Sequence, residues 1–199
     1  MNTRSNSSYY YYRRGDVYLR LNRSSKAIKD FTKAIELNPN ESKYYSARGE
    51  LYLELEYCDE AVQDFTKTIE LNPSDSEYYC RRGDSYYFLE QYEQAIQDYS
   101  KAIELNPNDL SYYDMRSDAY FELKQYKNAI LDFIEVSNME SYKSDYEVAY
   151  YILGKVYMKL GQYEKAVQAF NKTIELNPDN KEAHIARSKA DLKFLNQNH

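Results

Sequence analysis

Residues 76–109 read SEYYCRRGDSYYFLEQYEQAIQDYSKAIELNPND, and the fold follows from how that string recurs. Its Asn106-Pro107 is matched by Asn38-Pro39, Asn72-Pro73 and Asn177-Pro178, which account for all 4 prolines of the chain. Pro39, Pro73 and Pro107 stand 34 residues apart. Gly15, Gly49, Gly83 and Gly154, four of the 5 glycines, each precede one of those prolines by 24 residues. Gly and Pro punctuate local structure, so a fixed spacing between them marks a repeated supersecondary unit.

With each Pro at position 32 of a 34-residue unit, the units are 8–41, 42–75, 76–109 and 147–180. Residues 110–143 align as a degraded fourth unit, followed by an insertion, 144–146. Position 4 then holds Tyr11, Tyr45, Tyr79, Tyr113 and Tyr150, and position 11 holds Tyr18, Tyr52, Tyr86, Tyr120 and Tyr157. Position 20 is Ala27, Ala61, Ala95, Ala129 and Ala166; position 24 is Phe31, Phe65, Tyr99, Phe133 and Phe170. Positions 4, 8 and 11 share one helical face and positions 20, 24 and 27 another. Gly at 8 and Ala at 20 let two antiparallel helices approach closely while the aromatics fill the space beside them. Asn-Pro ends the second helix, because the residue before Pro avoids the α region. One such hairpin cannot bury its own apolar face, so neighbouring units must stack.

This pattern resembles the tetratricopeptide repeat over residues 8–180: an aromatic at 4, Gly at 8, Tyr at 11, Ala at 20, an aromatic at 24 and Pro at 32. The resemblance implies an all-α fold, a right-handed α-solenoid of five helix-turn-helix repeats. Residues 1–7 are expected to be disordered. Residues 181–197 are expected to form a capping helix, with Ala183, Ala186, Ala190 and Phe194 on one face. The departures are specific. Position 7, usually Leu in the family, is Arg14, Arg48, Arg82 and Arg116, with Leu153 only in the fifth unit. Position 23 carries Asp30, Asp64, Asp98 and Asp132, and Ala169 in the fifth. Arg and Asp come and go together, which predicts an ion pair between the two helices of each of units 1–4. Unit 4 has Ser117 for Gly and Ser141 for Pro, and its irregular end, 136–146, predicts a protruding loop or an altered pitch.

Composition narrows the function. A net charge of −6 and a pI near 5.1 disfavour nucleic acid, whose phosphates demand concentrated Lys and Arg. Cys58 and Cys80 are the only cysteines, without metal-ligand spacing, and fit a reducing compartment. With no apolar leader and no long apolar run, no membrane partner is expected and a cytoplasmic location is. The starting Met and the cap favour a complete chain. His184 and His199 are the only histidines, no nucleophile has a base beside it, and no phosphate loop or cofactor motif is present, so no enzyme is expected.

The resemblance implies recognition in the concave groove lined by the first helices, at positions 2, 5, 6, 9, 12 and 13. Position 9 reads Asp16, Glu50, Asp84, Asp118 and Lys155, an acidic ladder reversed in the last unit. Tyr12, Cys80, Asp114 and Tyr151 at position 5, Arg81 at 6, Tyr87 and Phe121 at 12 and Phe88 at 13 complete the candidate face. Such a face suits a protein or peptide partner of basic or amphipathic character, although charges on outer helix faces also serve solubility alone. Of the family's chaperone-tail clamp only Arg81 is matched: position 5 lacks its Lys, position 9 its Asn, and Glu77 stands where another Lys belongs. The function expected is therefore a protein-interaction scaffold. The alternative is a self-associating module, a homo-oligomer built through its tyrosine-rich ends or faces.

Overall fold

The computed structural model describes residues 3–138 and 146–197. Among them are eleven helices and no strand, as the expected all-α class requires. They are α1 (Thr3–Arg20), α2 (Ser24–Leu37), α3 (Ser42–Glu54), α4 (Cys58–Leu71), α5 (Ser76–Phe88), α6 (Tyr92–Leu105), α7 (Leu110–Glu122), α8 (Tyr126–Asn138), α9 (Tyr146–Lys159), α10 (Tyr163–Leu176) and α11 (Lys181–Gln197). Helix α1 begins at Thr3, within the segment 1–7 set apart in the sequence. The loop expected at the end of unit 4 falls largely on 139–145, outside the described residues.

The chain divides into two compact bodies, residues 1–112 and 113–199. In the first, α1 pairs with α2, α3 with α4 and α5 with α6, and α2 meets α3 as α4 meets α5. In the second, α9 packs on α10 and α10 on α11. Each Asn before Pro is extended, with φ −146° and ψ 85° at Asn38 and similar values at Asn72, Asn106 and Asn177. The backbone thus leaves the helix where the pre-proline clash forbids its continuation. Each first helix ends through a left-handed residue at position 15: Asn22, Glu56, Glu90, Lys124 and Gly161. A residue in that conformation turns the chain back toward the second helix.

The core of each unit is the small-residue contact expected from the columns. Ala27, Ala61, Ala95, Ala129 and Ala166 have no exposed surface, and Phe31, Phe65, Tyr99 and Phe170 are buried against the glycines. A Cβ built on Gly83 would stand 2.7 Å from the Tyr99 ring, and one on Gly49 would stand 3.2 Å from the Asp64 Cβ. In unit 4 the buried Ser117 hydroxyl donates to the Ala129 carbonyl at 3.4 Å. Units are tied by the position-1 serines: Ser8 shares a hydrogen bond with Tyr44 at 3.2 Å, and Ser76 with Tyr112 at 3.2 Å. At position 4, the hydroxyls of Tyr45 and Tyr79 donate to the carbonyls of Pro39 and Pro73. In α11 the His184 ring makes the same contact with the Pro178 carbonyl at 2.9 Å. Ala183 and Ala190 are the buried positions of α11.

The Arg–Asp pairs are present and bidentate. Arg14 Nε and Nη2 reach Asp30 at 2.6 and 2.8 Å, and Arg48 reaches Asp64 at 2.7 Å through both. Arg82 reaches Asp98 at 2.7 Å through both, and Arg116 reaches Asp132 at 2.9 and 2.5 Å. Two of these arginines also bind the preceding unit: Arg48 Nη1 donates to Thr32 Oγ1 at 2.8 Å and Arg82 Nη1 to Thr66 Oγ1 at 3.1 Å. Each guanidinium lies beside a position-4 or position-11 tyrosine, between 5.2 and 6.0 Å from the ring centre. In unit 5, where Leu153 and Ala169 replace the pair, a cavity of about 660 Å³ opens between Tyr150 and Tyr157.

Burial pushes the Asp98 carboxyl above its usual range, with Arg82 pulling it back down. Removing one partner of a fully buried pair costs roughly 3–5 kcal/mol, whereas replacing both with apolar residues is often neutral. The Arg82 side chain keeps some contact with water, so Arg82→Leu is expected to lower stability by about 2 kcal/mol. Arg82→Leu with Asp98→Ala, the combination found in unit 5, is expected to cost clearly less. Urea unfolding of the two variants reads the difference, and equal losses would refute the pairing.

Candidate partner-binding face

The residues expected to form a recognition face divide by depth once the helices are packed. Where it carries Tyr12, Cys80 and Tyr151, position 5 proves to be floor. Cys80 is only 2% exposed, packed beneath the surface of α5, and burial pushes its thiol far above the ordinary range, with Asp84 and Glu77 adding to the effect. Its side chain thus lies in the core and not on the open face where it was expected. Tyr12 is half-buried with its ring 5.9 Å from Phe31 and 5.3 Å from Tyr44. Tyr151 likewise rests 5.9 Å from Phe170. A position-5 side chain leans toward the position-24 ring of its own unit, which is why aromatics there serve packing first. Asp114, at the same position in unit 4, is exposed.

Position 9 is more open, with one exception. In the first body, Asp16 pairs with Arg20 at 3.4 Å and Glu50 is exposed. Glu50 nevertheless has protein on most sides. That crowding raises its carboxyl pKa; Glu77 and Glu54 add to the rise and Arg81 opposes it. Arg81 is itself held by Glu77 at 2.7 Å and Asp84 at 3.5 Å, so its charge is already matched. Asp84 is the exception: it accepts a hydrogen bond from Tyr99 at 3.0 Å and is largely withdrawn from solvent. A tyrosine hydroxyl at position 24 needs a buried partner, and Asp84 is the acceptor within reach. Tyr87 packs on Tyr92 with ring centres 5.3 Å apart, while Phe88 stays 67% exposed.

In the second body, Asp114, Asp118 and Glu122 lie one turn apart along α7, and all three are exposed. Lys155 of α9 stands 5.3 Å over the Tyr151 ring and 5.9 Å over Phe121, whose ring also meets Tyr126 at 5.4 Å. Crowding by protein pushes Asp118 up to about 6; Asp114 and Glu122 raise it further and Lys155 lowers it. The surface shows Asp118 open to solvent while its pKa responds as a crowded group does. Both hold for a carboxylate that water reaches from one side only. An equivalent cation over rings occurs in the first body, where Lys43 lies within 5.9 Å of Tyr9, Tyr12 and Tyr44. Carboxylates above an aromatic floor, with lysines seated on the rings, can hold cationic and apolar groups side by side.

Sequence reasoning passed over one cavity, between the turns of units 2 and 3. Leu53, Tyr57, Cys58, Phe88 and Leu89 are among the residues that line it. The signal lay in position 17, where Cys58 interrupts a column that is Tyr in the three later units. Among the described residues no group of three His, Cys, Asp or Glu side chains is arranged to hold a metal ion. No helix among them is long and apolar enough to cross a membrane.

Two tetratricopeptide repeat models match the chain, one at residues 8–41, 76–109 and 148–180, the other at 42–75 and 110–141. Among curated protein sequences no match is found. Among solved structures, a crystal structure of MamA protein aligns with a TM-score of 0.81 at 21% identity, over 88% of this chain and 94% of that one. YrrB, described as a tetratricopeptide repeat protein with an unusual peptide-binding site, aligns with 0.77 at 24% identity, over 89% and 90%. The first repeat domain of Spaghetti (RPAP3), bound to the HSP90 peptide SRMEEVD, aligns with 0.57 at 25% identity, over 60% and 94%.

Proton binding at Asp118 supplies a direct check on the crowding of this face. A raised carboxyl pKa means that the folded state holds the proton more tightly than the unfolded chain. The associated stability is present below about pH 4 and is lost as pH rises through about 6. Carbon-detected NMR is expected to show Asp118 titrating near pH 6, higher in Lys155→Ala and lower in Asp114→Asn. A midpoint near 4 in all three would refute the crowding.

Proposed function

This chain belongs to the tetratricopeptide repeat family, and on that premise we propose that it is a non-catalytic interaction scaffold whose first-helix faces bind a basic or amphipathic segment of a partner protein. The observation that carries this reading is the row of exposed carboxylates Asp114, Asp118 and Glu122 on α7, with Lys155 nearby lying over the Phe121 and Tyr151 rings. The solved relatives support it at the level of fold, and YrrB and the Spaghetti domain are described as peptide binders. The partner is not a chaperone-tail carboxylate. Arg81 is neutralised by Glu77 and Asp84, and Glu50 stands nearby, a field that repels a terminal carboxylate. A cytoplasmic location is part of the same proposal, supported by Cys58 and Cys80, which are buried and form no disulfide.

Charge reversal tests the face, and the structure selects the positions. Asp84 is unsuitable because it satisfies Tyr99, so its loss would injure the fold. Glu50→Lys with Asp118→Lys changes two exposed carboxylates, one in each body. Affinity capture from native lysate, read by mass spectrometry, is expected to lose a specific partner with the reversed bait. The same partners on both baits would mean that these carboxylates serve solubility alone.

A second reading, self-association, is favoured by one observation. Tyr10 and Val17 of α1 are 57% and 51% exposed, yet they hold positions 3 and 10, where the next unit buries Tyr44 and Leu51 to 2% and 1%. Leu21, in the turn just after α1, is exposed as well, and Ile185, Leu192 and Leu195 form another open stripe on α11. Light scattering over the micromolar range decides between a constant monomer mass, which removes this reading, and a mass that grows with concentration.

A further inference from the structure

At position 17, Tyr92 and Tyr126 fold back onto the position-12 rings Tyr87 and Phe121 of their own units, with ring centres 5.3 and 5.4 Å apart. In unit 2 the residue is Cys58, and the volume a tyrosine would fill is part of a cavity of about 650 Å³. Its apolar wall is Leu53, Leu89 and the exposed rings of Tyr57 and Phe88. Its rim is Glu54, Glu56, Asp59 and Glu60, with no Lys or Arg in the lining. All four carboxylates are exposed, and none has an ion-pair partner among the described residues. Unit 1 also has a small residue at position 17, Ser24, but Arg20, Arg23 and Lys26 surround it in sequence, so the corresponding position there carries the opposite charge.

We propose that the cavity between the turns of units 2 and 3 is a binding pocket for an arginine side chain of a partner segment, at the turn end of the first-helix face, with which it shares Leu53, Glu54 and Phe88. A guanidinium is the occupant that uses every part of the lining: its plane stacks on Phe88 or Tyr57, and its fork of donors meets two carboxylates. The chain itself uses this chemistry four times, where Arg14, Arg48, Arg82 and Arg116 each sit beside tyrosine rings and grip an aspartate. The negative field at the floor is felt by Cys58, whose thiol is raised first by burial and then by Glu56, Asp59 and Glu60. The volume exceeds what one arginine side chain fills and lies within the range of ligand pockets, roughly 300–1,000 Å³, so adjoining backbone enters with it.

Amide NMR titration with three capped tripeptides, Gly-Arg-Gly, Gly-Lys-Gly and Gly-citrulline-Gly, tests the pocket. The arginine peptide is expected to shift the amides of residues 54–60 and 88–89. It should bind at least tenfold more tightly than the citrulline peptide and about threefold more tightly than the lysine peptide. Cys58→Tyr, which restores the residue of the later units, is expected to abolish the shifts while leaving the spectrum folded. Should that variant unfold, Glu56→Gln with Glu60→Gln, both at exposed sites, is expected to weaken binding at least tenfold. Equal binding of the citrulline peptide, equal binding of lysine, or persistence of the shifts in both variants would overturn the proposal. Shifts centred on Glu50 or Asp118 instead would place the cation on the first-helix faces and would also overturn it.

Discussion

The contact between the glycine at position 8 and the aromatic ring at position 24 sets the distance between the two helices of a unit, and the other interactions are scaled to it. An added Cβ on Gly83 would fall 2.7 Å from a Tyr99 ring atom, so the ring already occupies the place of a side chain. Helices this close leave no room to slide, and the register of each pair is fixed by where the glycine stands. Alanine at position 20 lets the second helix lie equally near from the other side. Ser117 is tolerated in unit 4 because its hydroxyl finds the Ala129 carbonyl.

That spacing brings position 7 within reach of position 23 and allows a charged pair where the family usually places leucine. A half-buried guanidinium is acceptable only when its buried donors are matched, and here each nitrogen of Arg48 and Arg82 has an acceptor. Two donors grip the aspartate, tyrosine rings cover the faces, and in units 2 and 3 a third donor reaches a threonine of the preceding unit. The last bond gives the pair a role in stacking as well as in closing the hairpin. Unit 5 shows what lies beneath: with Leu153 and Ala169 the tyrosines remain, and a cavity stands where the guanidinium would be.

The first helices then sort their residues between floor and face by small rotations around the helix. Cys80 and Asp84 are neighbours one turn apart on α5, yet one is sealed in the core and the other is tied to Tyr99. Glu50 and Asp118 remain open, and their carboxyls are raised because protein crowds them and other carboxylates stand close. Lys43 over its rings in the first body and Lys155 over its rings in the second keep each of the two first-helix faces from being uniformly acidic.

The period of 34, the helix ends at Asn-Pro, the alanine and aromatic columns and the Arg–Asp pairs were all legible in the sequence. Each depends on residue size, charge or backbone restriction that acts locally or recurs at a fixed spacing, and repetition lets one unit be read against the next. Depth was not legible. Whether Tyr12, Cys80 or Tyr151 faces a partner or the core depends on which ring of the second helix lies beneath it. Asp84 differs from Glu50 only because Tyr99 carries a hydroxyl that must be satisfied. The burial of Ser8 is likewise a tertiary effect, since its hydroxyl bonds Tyr44 of the next unit. The gap left by Cys58 became a pocket only because Phe88, in another turn, closes its far side. Sequence determined the repeat and its chemistry; packing between units decided which of those groups solvent and a partner can reach.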